Sequence, residues 1–325
     1  MILAFPLLWA AATAAAYVYA RERGIPWHAA VAVLPAFLLE ISLYYTLGVE
    51  RLRKHVDKLP SAMTAMAVSV GAVAPYLLAS IALHSFSGRS LVVLTALALI
   101  ASFWYVILPH KLSIDVLFLV FIAAVWLLRV IPPLYVSPGY VSSDAKLPLA
   151  ILGQLMWFRT GLLAMLSVRR MPNIGFGFWP AAREWKIGAL YFGGFLPVAA
   201  AAAWATAFTH PHLRYASWEK TTLVGVATFF GILWVVALGE EFFFRGLLQT
   251  WLARGLKSEW GGLALASLLF GAVHLWYRPF PNWRIVPVAA CLGLFCGLAF
   301  RRARSIRASM VTHALAVTAW RLFFT

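Results

Sequence analysis

Apolar runs, each near the 17–25 residues that cross a bilayer as a helix, recur along the whole chain, and short loops between them hold most of the charge. The runs lie at Ile2–Ala20, Trp27–Leu47, Ala62–His84, Leu91–Leu108, Leu112–Leu128, Leu147–Val168, Ile187–Phe208, Leu223–Leu238, Leu263–Trp276, Ile285–Phe300 and Ala308–Phe324. This pattern predicts an all-α, polytopic transmembrane helical bundle of eleven spans. The eighth run continues as helix to about Ala253 and the ninth begins near Gly261, which makes Arg254–Trp260 a hairpin turn. The short ninth and tenth runs are joined by Pro279-Phe280-Pro281, a tight break that no helix can cross.

Composition agrees: 63% of the 325 residues are hydrophobic and 12% are charged, where soluble domains carry about 25% charged residues. The formal charge of +16 is not a nucleic-acid signature, because the lysines and arginines sit in loops between apolar runs, where they set orientation. The heaviest clusters, Arg51-Leu52-Arg53-Lys54, Arg169-Arg170 and Arg301-Arg302-Ala303-Arg304 with Arg307, fall in even-numbered loops. The positive-inside rule then puts the N-terminus in the cytoplasm, and the charge pattern suits a bacterial inner membrane. The first run lacks a basic region before it and reads as an uncleaved helix. Cys291 and Cys296, five apart on one helix, fit neither a disulfide nor a zinc pattern and read as packing residues. The alanine run Ala199–Ala203 is expected to permit close helix approach.

The segment Arg169–Pro180, with its charge, proline and glycine, marks a boundary between residues 1–168, of no assigned role, and residues 169–325. Ionisable groups inside apolar runs are costly and point to function or to pairing. In the first part these are Glu40, Arg159 and Asp115, none with a partner at recognisable spacing. In the second part Gly239-Glu240-Glu241-Phe242-Phe243-Phe244-Arg245 sets two carboxylates and an arginine in an apolar stretch. Glu241 and Arg245 are four apart, acid first, and share a helical face. Glu240 is rotated by about 100° and is left free of that arginine. The segment therefore offers one neutralised carboxylate beside one available for chemistry, unless both are solvated at an interfacial helix end.

Two histidines follow on later helices, His274 and His313. Glu240 lies 14 residues before Arg254 and His274 lies 14 after Trp260, so both sit roughly 20 Å from one membrane face at about 1.5 Å per residue. His313 is six residues past Arg307, about 9 Å deep on the same count, and reaches them only if its helix starts earlier or tilts.

Glu240-Glu241-x-x-x-Arg245, Phe270-x-x-x-His274 and His313-x-x-x-Val317 resemble, in order, the E-E-x-x-x-R, F-x-x-x-H and H-x-x-x-N/D motifs of the CAAX protease and bacteriocin-processing family of intramembrane endopeptidases, which includes the type II CAAX prenyl endopeptidases. The resemblance covers roughly Arg169–Thr325. It implies a glutamate-dependent peptidase without metal or other cofactor, acting in the lipid bilayer on a membrane-associated protein or peptide. By motif position Glu240 is the general base that activates water and His274 orients that water. Glu241 and Arg245 form a structural ion pair, His313 stabilises the oxyanion, and Phe270 and Val317 line the substrate pocket. Val317 departs from the motif, since valine offers no hydrogen bond where the family has an amide or carboxylate. Asn282 is a candidate substitute, whereas Thr312 and Thr318 lie on other helical faces.

Three other readings compete. Glu240, His274 and His313 can be written as the ligands of a zinc-dependent membrane hydrolase, although no H-E-x-x-H is present. A non-catalytic scaffold or immunity-type protein would use the same pocket to bind peptide. A transporter would use the three groups as a proton relay, but the matched broken helices of such folds are missing from the pattern.

Overall fold

The computed structural model describes residues 4–138, 147–171, 174–215, 217–278 and 280–324, so Ile2, Lys146 and Pro279 lie outside the described residues. Among these it contains twelve helices, and the chain is an integral membrane protein built as a polytopic helical bundle. They are α1 (Ala4–Glu22), α2 (Trp27–Gly48), α3 (Glu50–Val56), α4 (Ser61–Ala82), α5 (Gly88–Ile107), α6 (Leu112–Leu127), α7 (Leu149–Val168), α8 (Ala182–Thr206), α9 (Trp218–Gly255), α10 (Glu259–Val273), α11 (Ile285–Ala303) and α12 (Ile306–Phe323). Each of the eleven apolar runs forms a helix, and α3 is a short basic addition between the second and third runs. Seven helices (α2, α4, α5, α7, α8, α9 and α11) have the length and apolarity to cross a membrane unaided.

The chain divides into two compact units, residues 1–172 and 173–325. Within the first, Glu40 and Arg159 do have partners: each other. Arg159 Nε and Nη2 donate to the two carboxylate oxygens at 2.7 and 2.9 Å, and Nη2 also donates to Gly71 O at 2.8 Å. Both side chains are sealed from solvent, so this pair fastens α2, α4 and α7 together where lipid offers no alternative hydrogen bond. Their spacing of 119 residues hid the pair from local patterns. Asp115, in the first turn of α6, is likewise paired with Arg169 at 2.9 Å.

The second unit is organised around α12. Every residue from Ala308 to Ala314 is buried, so this helix is enclosed on all sides by α8, α9 and α11. Close approach of α8 depends on Gly188: a Cβ there would stand 2.5 Å from Val311 Cβ and 2.7 Å from Ala308 O. In a bilayer such contact between small residues is a principal source of helix association. Of the alanine run Ala199–Ala203, Ala199 packs against the apolar cluster that includes Ala289 and Leu292 of α11, while Ala200 and Ala201 face outward. At the basic end Arg307 of α12 is tied to Glu184 of α8 at 2.9 Å.

α9 is not a uniform α-helix. Ile232–Ala237 and Phe242–Gln249 are π-helical, and the single α-helical turn Leu238–Glu241 lies between them. Insertions of this kind rotate the residues beyond them and occur often at functional sites. Both glutamates sit on that intervening turn.

Candidate active site

Arg245, one π-helical turn after the glutamates, is 1% exposed, and its Nε lies 3.0 Å from Glu241 Oε2. Its Nη2 donates to Gly293 O of α11 at 3.0 Å. Residue 293 is glycine where α11 packs closely on α10, since a Cβ there would press to 3.0 Å of Ser267 Cα. The guanidinium carbon rests 4.6 Å from the centroid of Phe270, a distance at which the ring face attracts a cation. The alignment of Arg245 with Glu241 Oε2 falls short of a good hydrogen bond, and Arg245 Nη1 has no hydrogen-bond partner among the described residues. Charge attraction and the aromatic face therefore hold this cation as much as directed hydrogen bonds do.

Glu241 is fully buried, and its second oxygen, Oε1, accepts from His313 Nδ1 at 2.7 Å. The other ring nitrogen, His313 Nε2, is 3.8 Å from Glu240 Oε2. Glu240 keeps 36% of its side-chain surface, while its Oε2 atom is enclosed and has no hydrogen-bond partner among the described residues. His313 thus stands between the two carboxylates, bonded to one and facing the other.

Depth counted from loop residues puts His313 too near the membrane surface, and the structure shows the reason. α12 does not begin level with the end of α9: Ile306 packs against Gly246, nine residues short of Gly255. The recess is held by Ile306 N donating to Ile174 O at 2.9 Å and Ser305 Oγ donating to Gly175 O at 3.2 Å. Gly175 adopts φ +69°, and a Cβ on it would collide with Ser305.

His274 is the more distant member. It terminates α10, and the one hydrogen bond of its ring among the described residues joins Nδ1 to Phe270 O at 2.7 Å. It approaches the glutamate turn through Phe270, whose ring centroid is 4.8 Å from that of His274 and 5.8 Å from that of His313. Phe270 is 0% exposed, so it is the platform on which Arg245 and both imidazoles rest and offers no free wall to a ligand. Val317 is partly buried in the apolar cluster that contains Phe244, Phe270 and Cys296. Asn282 is committed elsewhere: its amide donates to Tyr277 O at 3.1 Å and its backbone N–H to Leu275 O at 2.9 Å, closing the turn after α10. Thr312 donates to Gly188 O at 3.0 Å, and the Thr318 hydroxyl is buried without a partner among the described residues.

Among the described residues one group has metal-ligand atoms close together: Glu241, Cys296 and His313, within 4.8 Å of one another. It differs from the Glu240, His274 and His313 set that a catalytic zinc would require. Its atoms are also occupied, by Arg245 and His313 on Glu241 and by Ser309 O, which accepts from Cys296 Sγ at 3.6 Å. A guanidinium in contact with the carboxylate disfavours a second cation there. Cys296 and Ser309 are neighbours of the site that no sequence spacing indicates, being brought in by the packing of α11 on α12.

No curated protein and no solved structure matches the chain. Residues 221–319 match a family model, in a stretch that starts in the first turn of α9, contains both glutamates, Arg245, Phe270 and His274, and ends beyond His313 and Val317. The matched family is described as type II CAAX prenyl endopeptidase Rce1-like, and it is this segment of the chain that is similar to it.

Proposed function

We propose that the chain is an intramembrane endopeptidase that hydrolyses a peptide bond in a membrane-associated protein or peptide, with Glu240 as the general base. The observation that carries this reading is the unequal state of the two adjacent carboxylates. Glu241 is spent on Arg245 and His313, whereas Glu240 has an oxygen without a hydrogen-bond partner among the described residues, 3.8 Å from an imidazole. A base must have a free lone pair within reach of the proton it takes.

In this mechanism Glu240 removes a proton from a water molecule and later returns it to the leaving amine. His274 helps to orient the water. Its Nδ1 must carry the hydrogen, because the Phe270 carbonyl can only accept, and Nε2 is therefore free to accept from the water. Oxygen of that water bonds to the scissile carbonyl carbon, and the carbonyl oxygen becomes an anion within reach of His313 Nε2. Collapse expels the amine. We further place the N-terminus in the cytoplasm and the protein in a bacterial inner membrane, on the distribution of Lys and Arg among its loops. A peptide-binding protein without activity is the second reading, favoured by Val317, which supplies no donor beside His313.

The test compares membrane proteins from cells carrying wild type and Glu240→Gln by mass spectrometry of new C-termini. Glu240→Gln removes the base and preserves shape, so termini present with wild type should vanish. Identical termini from both would overturn the assignment and leave the binding reading.

A further inference from the structure

We propose that the α10–α11 hairpin is a lipid-facing surface that thins the bilayer beside it and draws phospholipid headgroups and water to the end that carries His274. The surface stands without the endopeptidase reading above; the use of that water in hydrolysis rests on it.

Trp260 stands in the first turn of α10 and Trp276 just past its end, and they are 63% and 70% exposed. Tryptophan collects at membrane–water interfaces, where its amphipathic ring sits at headgroup level. The two lie 16 residues apart, roughly 24 Å at about 1.5 Å of rise per residue. Between them α10 turns Leu265, Leu268, Leu269 and Val273 outward, an apolar face suited to acyl chains. α11 repeats the measure. Arg284 and Arg301 are 17 residues apart with no charged residue between them, a rise of about 26 Å.

Both ends of the hairpin are held in register. Arg301 does not reach outward to lengthen the span: its guanidinium carbon lies 4.0 Å from the Trp260 centroid, and Nη2 donates to Glu259 Oε2 at 3.0 Å. At the other end Asn282 N donates to Leu275 O at 2.9 Å and its amide to Tyr277 O at 3.1 Å. The exposed cations Lys257 and Arg302 lie at the first end, and Arg278 and Arg284 at the second, complementing the phosphates of the two leaflets.

A hydrocarbon core of about 30 Å exceeds this pair by roughly 4–6 Å, and a tilt of either helix widens the gap. Lipid beside a short span thins to match it. His274 is two residues from Trp276, about 3 Å along the axis, so headgroups drawn down to the tryptophan bring water to the imidazole. A hydrolytic site inside a membrane needs such a supply.

The test places a nitroxide at Leu268→Cys, eight residues from each tryptophan, in the full chain with Cys291→Ala; Cys296 is sealed from the reagent. Its depth is measured with oxygen and a water-soluble relaxant in phosphatidylcholine vesicles of 14-, 18- and 22-carbon chains. The depth should stay near 12 Å, half the tryptophan spacing, in all three lipids. In Trp276→Leu/Trp283→Leu, which removes the aromatic rim at the second end, it should increase with chain length. A wild-type depth that follows chain length, or a variant depth that does not, would overturn the proposal. A label shielded from both relaxants would show protein on this face and overturn it as well.

Cleavage supplies the second readout. The variant should match wild type in 14-carbon lipid, which shows that it is folded, and fall behind it by about fivefold or more in 22-carbon lipid. Equal rates in the thick lipid despite the deeper label would overturn the supply of water. The expected depths with no cleavage in any lipid would count against the endopeptidase reading alone.

Discussion

Replacing Arg245 by Met tests how the second unit tolerates two adjacent acids inside the membrane. Methionine keeps the length and most of the apolar volume, so the change chiefly removes charge. What is lost is the 3.0 Å ion pair with Glu241, the 3.0 Å hydrogen bond to Gly293 O and the contact with the Phe270 face. Glu241, 0% exposed, would remain a buried carboxylate with His313 Nδ1 as its main partner. Breaking one side of a buried pair costs about 3–5 kcal/mol. At about 1.4 kcal/mol per decade, this is a loss of roughly two to three and a half decades in the folding equilibrium. The chain contains its own control in Lys54–Glu50, a pair 2.8 Å apart whose side chains are 69% and 51% exposed. Lys54→Met should change stability by no more than about 0.5 kcal/mol. Equilibrium unfolding in mixed micelles of a nonionic detergent and dodecyl sulfate, followed by circular dichroism, measures both. Glu241→Gln/Arg245→Met should regain most of the loss, because an uncharged pair of similar volume has no desolvated ion to stabilise. If Arg245→Met unfolds like Lys54→Met, or if the double variant is no better than the single one, the ion pair does not support the fold.

Restoring a donor with Val317→Asn should raise the cleavage rate by about tenfold or more, since one oxyanion donor is worth roughly 3–4 kcal/mol when well aimed. It should also lower stability by about 1–3 kcal/mol, because position 317 packs into an apolar cluster. A stability loss with no gain in rate would mean that the position does not face the reacting carbonyl. Glu259, in the turn entering α10, is held below the usual carboxylate range by the hydrogen bond from Arg301 and the charges of Arg304 and Arg301. A depressed folded-state value makes its contribution fully present above the unfolded value of about 4.3 and lost as pH falls through the folded one. Glu259→Gln should therefore shift the unfolding midpoint at pH 7 and leave it unchanged in strong acid; a shift of equal size at both would exclude the titration.

The helices were readable because lipid imposes a length and an apolarity that each span must meet alone. All eleven runs form helices, and α3 escaped notice because seven basic-rich residues resemble a loop. Local spacing also revealed the Glu241–Arg245 pair, which is a property of one helix. What spacing cannot carry is contact between helices. Glu40 and Arg159 looked solitary because nothing within a few residues of either names the other.

The place of His313 shows most clearly where counting fails. A depth measured from the nearest basic residue assumes that every helix starts at the same membrane face. α12 starts beside Gly246 instead, because the chain at Ile174 and Gly175 accepts hydrogen bonds from Ile306 and Ser305 inside the unit. That recess carries His313 to the glutamate turn, and the two π-helical stretches of α9 set how the turn is rotated toward it. The first effect depends on a glycine 130 residues away in sequence from the serine it meets, and the second on a change of helix type with no local residue signature. A motif can name the residues of such a site, but the starting depth of one helix decides whether an imidazole reaches both acids or neither.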